Sequence, residues 1–309
     1  GDGWRPLGRR GGLGGVADRF RARLSGSIAP GLAGERRALV EGVVLGEDEG
    51  LSQQLQDAFR ASGLYHLLAV SGQNVALVAG GALAAAWLLG VSRLAGHLLA
   101  LAAIAAYVLA VGPQPSVLRA GVAGALGSLA WLAAREQDRW HFLLLGALVL
   151  LAWNPYTLLD PGFQLSFAAV GAIFLVAPWI GEVLDGYPLP RKLAQLTAIS
   201  AACGVTTAPI LWLQFGAVPL LSVPANALAD PAVVPLLGLG GAAALLAPVA
   251  PGAAAAAAWL NGWCAAYLAA CARLVASVPF AQAHGAAAGI VAIGGLLGTA
   301  YAWLRWHRS

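Results

Sequence analysis

Stretches of about twenty mostly apolar residues recur from Leu64 to Trp303 with only short interruptions, and no other property of the chain limits its fold so strongly. A helix of that length crosses the hydrocarbon core of a bilayer. It also satisfies its own backbone hydrogen bonds, which an open sheet cannot do in lipid. Nine segments are predicted, near residues 64–89, 94–111, 116–134, 140–153, 163–180, 193–213, 232–250, 253–278 and 286–304. A transmembrane barrel is excluded, because its strands would read as segments of about ten residues with alternating polarity. The expected fold class is all-α: a polytopic helical membrane protein with about nine transmembrane or re-entrant segments.

Composition agrees. Of 309 residues, 59% are hydrophobic and 10% charged, against roughly 25% charged in soluble domains. Residues 1–60 hold 9 of the 18 Lys+Arg and 8 of the 14 Asp+Glu, so the charge is concentrated ahead of the apolar region. The net charge of +4 decides nothing about nucleic acid, since a few loop arginines on an uncharged chain produce it. Cys203, Cys264 and Cys271 lie inside apolar runs with no C-x-x-C pair and read as small buried apolar residues. The chain contains no Met and is therefore expected to be part of a longer product. Its first 60 residues hold no secretory signal pattern.

Residues 1–27, rich in Gly and Arg, read as a linker. Residues 28–62 carry apolar side chains on one face at Leu39, Val40, Val43 and Val44 and on another at Leu51, Leu55 and Phe59. That pattern fits two amphipathic helices lying on the bilayer surface, or two helices of a soluble upstream domain. Residues 63–306 form the membrane domain, and 307–309 a tail. Residues 214–235 carry Pro219, Pro224, Pro231 and Pro235 and are expected to form a broken or re-entrant helix.

Loop charge predicts orientation. Alternate loops contain Arg93, Arg135, Arg139, Arg191, Lys192, Arg305 and Arg308, and the opposite loops contain no basic residue. The positive-inside rule puts the first set in the cytoplasm, the N-terminal region outside and the C-terminal end inside.

Polar groups inside apolar spans are costly and are retained for a reason. Under this topology His66, Ser71, Gln73, Asn74, Gln114, Ser116, Arg119, Asp160, Gln164, Ser166, Gln214, Ser222, Asn226 and Asp230 all fall towards the outer leaflet. Four separated regions thus point to a water-filled cavity that opens outward. Plainer readings stand beside this one. His66 can lie at the interface, and Ser71 with Gly72 can serve close helix packing. Arg119 must either pair with Asp160 or Asp230 or face a hydrated path. Asp160, between Asn154-Pro155 and Pro161-Gly162, is better read as the cap of the following helix than as a catalytic group. No H-E-x-x-H, G-x-S-x-G or phosphate-cradling lysine motif is present, so no catalytic residue, metal or cofactor is expected.

The segment GLYHLLAVSGQNVALV (63–78) resembles the signature of the ComEC competence proteins. PSVLRAGVAGALGSLAWLAAREQD (115–138) with NPYTLLDPGFQLSFAAVGAI (154–173), FGAVPLLSVPANALADPAVVP (215–235) and ALVEGVVLGEDEGLSQQLQDAFRASG (38–63) are similar to further parts of that family. The resemblance implies an inner-membrane channel for uptake of single-stranded DNA in natural transformation. It places His66, Ser71, Gly72, Asn74, Arg119, Asp160, Gln164, Ser166, Asn226 and Pro231 at matched positions along the DNA path. The implied partners are single-stranded DNA, the lipid bilayer, a DNA receptor, a cytoplasmic motor and further copies of the chain. Gln73-Asn74 stands where the family more often has a bulkier residue followed by His. The family's oligonucleotide-binding-like and metallo-β-lactamase-like domains do not fall within these residues, so any nuclease step is expected outside them. Two other classes stay open: a small-solute secondary transporter and an intramembrane hydrolase.

Overall fold

The computed structural model describes residues 12–70, 72–112, 115–132 and 138–306. Residues 12–27, expected within the linker, fall in helix α1 (Gly12–Ile28). Its C-terminal end is held by burial of Ile28 and Ala29 in the core. Arg21 adds an ion pair to Glu47 and a hydrogen bond to the carbonyl of Val111.

Helices α2 (Gly34–Leu45) and α3 (Gln53–Ser62) follow. Gly46 and Gly63, both left-handed, end them, as glycine without a Cβ permits. Their apolar faces are not turned to lipid. Leu39, Val40, Val43, Val44, Leu45, Leu55 and Phe59 are buried in one core with Ala225, Ala229 and Leu236 of α11 (Ser222–Leu246) and Leu268 of α12 (Pro251–Ala276). The surface-lying arrangement is therefore corrected. An amphipathic stripe specifies an apolar neighbour, and here that neighbour is protein.

A 3-10 turn at Tyr65–Leu67 leads into α4 (Gly72–Leu88), α5 (Arg93–Val111), α6 (Pro115–Leu132) and α7 (Arg139–Trp153). Then come α8 (Pro161–Leu175), α9 (Ala177–Leu184), α10 (Arg191–Phe215), α11, α12 and α13 (Gly285–Trp306). Sequence-encoded caps fix several starts. Ser92, Asp138 and Asp160 accept hydrogen bonds from the amides of Ala95, Trp140 and Phe163, satisfying first-turn donors that have no helical partner.

Each of the nine apolar runs contains a helix, with 163–180 divided between α8 and α9, but length separates them. Five helices, α5, α10, α11, α12 and α13, are long and apolar enough to cross a bilayer, and α8 with α9 makes a sixth if that pair, bent by 43°, is one span. Helices α4 and α7, with 17 and 15 residues, are shorter, as is the apolar stretch Val117–Ser128 of α6. Among the described residues, length and composition thus support five or six crossings, where about nine transmembrane or re-entrant segments were expected.

The proline-rich stretch 214–235 is interrupted, though not at every proline. Helix α11 runs unbroken through Pro231 and Pro235, and the chain instead turns at residues 216–221, where Gly216 is left-handed. Pro224 lies in the first turn, where no helical amide bond is lost. Further along, the Tyr267 hydroxyl of α12 donates to the Leu228 carbonyl at 2.8 Å, close to the backbone that the prolines loosen. At the turn, strand β1 (Ala217–Pro219) pairs antiparallel with β2 (Gln282–His284), Val218 opposite Ala283.

Candidate functional site

Arg119 sits on α6 among helices that are otherwise almost uncharged. Its Nε donates to the Oγ of Ser166 on α8 at 2.7 Å, and its guanidinium lies 5.8 Å from the Phe167 ring centroid. Phe167 in turn stacks on Phe163 at 4.3 Å. Helix α4 starts against the same group: a Cβ on Gly72 would lie 3.3 Å from Arg119 Nη2 and 3.3 Å from the Ala120 Cβ. Gly146 of α7 faces the Arg119 stem, with a virtual Cβ 3.6 Å from Cγ. Glycines on two helices and a serine on a third therefore make room for one cation. No carboxylate among the described residues pairs with it, so the ion pair to Asp160 or Asp230 is not formed. Asp160 instead caps α8 through Oδ1 at 3.0 Å.

Gln164, less than one turn from Ser166, donates to the Leu158 carbonyl and accepts from Gln214 Nε2 at 3.2 Å, linking α8 to the end of α10. Gly72, Arg119 and Ser166 thus come together, and Gln164 lies beside them on α8. The other matched positions lie elsewhere. His66 is exposed, its Nδ1 donating to the Gly63 carbonyl at 3.0 Å. Gly63 is the close contact there: a Cβ would lie 2.8 Å from the Ser222 Cβ. Asn226 is half-buried and Pro231 exposed on α11. Ser71 lies outside the described residues.

Asn74 has a different setting. Its buried amide donates to the Val43 carbonyl at 2.9 Å and to the Tyr107 hydroxyl at 3.2 Å, and Tyr107 donates to the Val44 carbonyl at 2.7 Å. The last carbonyls of α2, which lack helical partners, are thus held by α4 and α5. Sequence reasoning placed Asn74 on a wet path and passed over Tyr107, although a lone hydroxyl in the apolar run of α5 was a usable signal. It also passed over Arg60, which lies 4.9 Å from the Tyr65 ring centroid, and the Tyr65 hydroxyl bond to Asp48 at 2.8 Å. Among the described residues no three His, Cys, Asp or Glu side chains cluster as a metal site would require.

These features define a helical membrane protein in which three helices meet around a cation that no acid among the described residues neutralises. The family model described as "Competence protein" matches residues 43–309, and the chain belongs to that family. It is 32% identical over 196 residues to ComE operon protein 3 of Bacillus subtilis (strain 168), covering 62% of this chain and 24% of that protein. It is 29% identical over 217 residues to the uncharacterized protein YcaI of Escherichia coli (strain K12), covering 65% of this chain and 28% of that one. The chain thus spans about a quarter of the length of these relatives. No solved structure matches it.

Proposed function

We propose that this chain is the membrane conduit for single-stranded DNA in natural transformation, set in the bacterial inner membrane with its N-terminal region outside and its C-terminal end in the cytoplasm. Membership of the competence family motivates the reading, and the setting of Arg119 carries it. A strand bears one phosphate charge per nucleotide and needs a hydrated path with cationic and stacking groups indifferent to base identity. Arg119, bonded to a neutral hydroxyl, keeps its charge and its remaining donors for a passing phosphate. Phe163 and Phe167 supply ring faces beside it.

One cation in this region favours passage over capture, because a dense basic clamp would hold the strand. Moving each charge inward against an inside-negative potential costs about 2.3 kcal/mol per 100 mV. The chain carries no ATPase motif, so a separate cytoplasmic motor supplies the work and an external receptor delivers the strand. The chain itself performs no hydrolysis in this reading.

The test uses the full-length protein in its native host. Arg119→Ala should lower transformation frequency by about tenfold or more, the equivalent of one lost charge interaction, at an unchanged level in the membrane. Arg119→Lys should restore part of it. Unchanged transformation in Arg119→Ala would refute the assignment.

A further inference from the structure

A second charged recess lies away from Arg119, between α2 and α12. It has a volume of about 200 Å³ and is lined by Glu35, Arg36, Leu39, Ala265, Ala269 and Arg273, among others. Arg273 Nη2 holds both oxygens of Glu35, at 2.7 and 2.6 Å. Arg36 has no carboxylate partner among the described residues; its guanidinium rests 4.9 Å from the Trp263 ring centroid. The recess therefore presents one unneutralised guanidinium, a second whose remaining N–H donors are unused, and a carboxylate with acceptor sites to spare.

The surroundings identify the occupant. Arg273 lies in the last turn of α12, a helix long enough to span a bilayer, which puts the recess at the boundary between hydrocarbon and headgroups. Trp259, Trp263, Tyr267 and Leu274 are exposed along α12, the first two rings in an edge contact at 6.1 Å. At 1.5 Å per residue Trp259 and Trp263 lie roughly 15–20 Å along α12 from Arg273, so this exposed face runs from the boundary into the hydrocarbon. A ligand held here must offer an anion to Arg36 and Arg273, an N–H cation to Glu35 and an apolar tail to the α12 face.

We propose that the recess binds the headgroup of a phospholipid carrying both a phosphate and a primary ammonium, as phosphatidylethanolamine does. The phosphodiester takes the donors of Arg36 and Arg273, the ammonium donates to Glu35, and the acyl chains lie along Trp259 and Leu274. A trimethylated choline headgroup has no N–H for Glu35, and a glycerol headgroup has no cation.

The test is lipid retention by the full-length protein, purified in detergent and offered equal amounts of phosphatidylethanolamine, phosphatidylcholine and phosphatidylglycerol, with bound lipid counted by native mass spectrometry. The wild type should prefer phosphatidylethanolamine by about tenfold, the value of one charge-assisted hydrogen bond. Arg36→Gln should reduce retention of all three. Glu35→Gln should abolish the preference and favour phosphatidylglycerol, because Arg273 is then unneutralised. Equal retention of the three lipids by the wild type, or an unchanged preference in Glu35→Gln, overturns the proposal. Displacement of the lipid by a short single-stranded oligonucleotide also overturns it and assigns the recess to nucleic acid. DNA uptake that fails in Arg119→Ala while lipid preference persists keeps the two assignments separate.

Discussion

Ser166 on α8 accepts the Arg119 Nε hydrogen bond across 47 residues of sequence at 2.7 Å. The bond fixes the guanidinium without neutralising it, as a hydroxyl can and a carboxylate cannot. Ser166→Ala should therefore cost roughly 0.5 to 2 kcal/mol of stability, readable by thermal unfolding in detergent. It should also lower DNA uptake while Arg119 remains present, and Ser166→Thr should rescue uptake. Uptake equal to wild type in Ser166→Ala would separate this bond from transport.

Gly72 tests the same place from α4. Its virtual Cβ lies 3.3 Å from both Arg119 Nη2 and the Ala120 Cβ, a distance that demands a shift of a few tenths of an ångström. Gly72→Ala should be accommodated by movement of the flexible arginine and a shift of a few tenths of an ångström between α4 and α6 at Ala120. Gly72→Val should push Arg119 aside and reduce transformation more than it reduces membrane accumulation. The two variants measured side by side check this.

Asn74 and Tyr107 act as one unit on the last carbonyls of α2. Asn74→Leu and Tyr107→Phe should each destabilise by about 1–3 kcal/mol, the penalty of an unsatisfied buried carbonyl. Because the two side chains share a bond, the double variant should lose less than the sum. A double-mutant cycle by denaturant unfolding in detergent decides it, and strict additivity would dissolve the unit.

Asn261 of α12 should behave in the opposite sense. It is fully buried, and neither amide atom has a hydrogen-bond partner among the described residues; a Cβ on Gly240 of α11 would lie 3.4 Å from its Nδ2 and 3.1 Å from Val44 Cγ2. Replacing an unpaired buried amide with an apolar group of similar size removes a desolvation penalty of about 1–3 kcal/mol. Asn261→Leu should raise the unfolding midpoint of the purified protein. A lower midpoint would show that the amide serves a role in the native bundle that outweighs its penalty.

The cap at Asp160 was legible because its signal is local: an acid ahead of Pro161-Gly162, three residues before the amide it accepts. The helices themselves were legible for the same reason, since apolar run length is a property of a few neighbouring residues. A break within 214–235 was legible, and the chain does turn there at 216–221, but its place was not: a proline reports only a missing donor, and α11 runs on through Pro231 and Pro235. For α2 and α3 the bilayer surface and a soluble upstream domain both stayed open, because a stripe of apolar side chains does not say whether lipid or protein covers it. For Arg119 the sequence left three settings open, a pair with Asp160, a pair with Asp230 or a hydrated path; neither acid pairs with it, and Ser166, which the sequence did not match to it, accepts its hydrogen bond.

Short-range chemistry therefore settled where this chain is helical, where several helices begin and that it belongs in a membrane, because hydrocarbon accepts only backbone that bonds to itself. Which side chains meet was decided by packing alone. Gly72, Arg119 and Ser166 lie on three helices, and their contact depends on interhelical distances that glycine and serine permit but do not encode. The tertiary fold also turned Asn74 from a candidate on a wet path into a clasp on α2, since only the folded bundle puts open carbonyls within its reach.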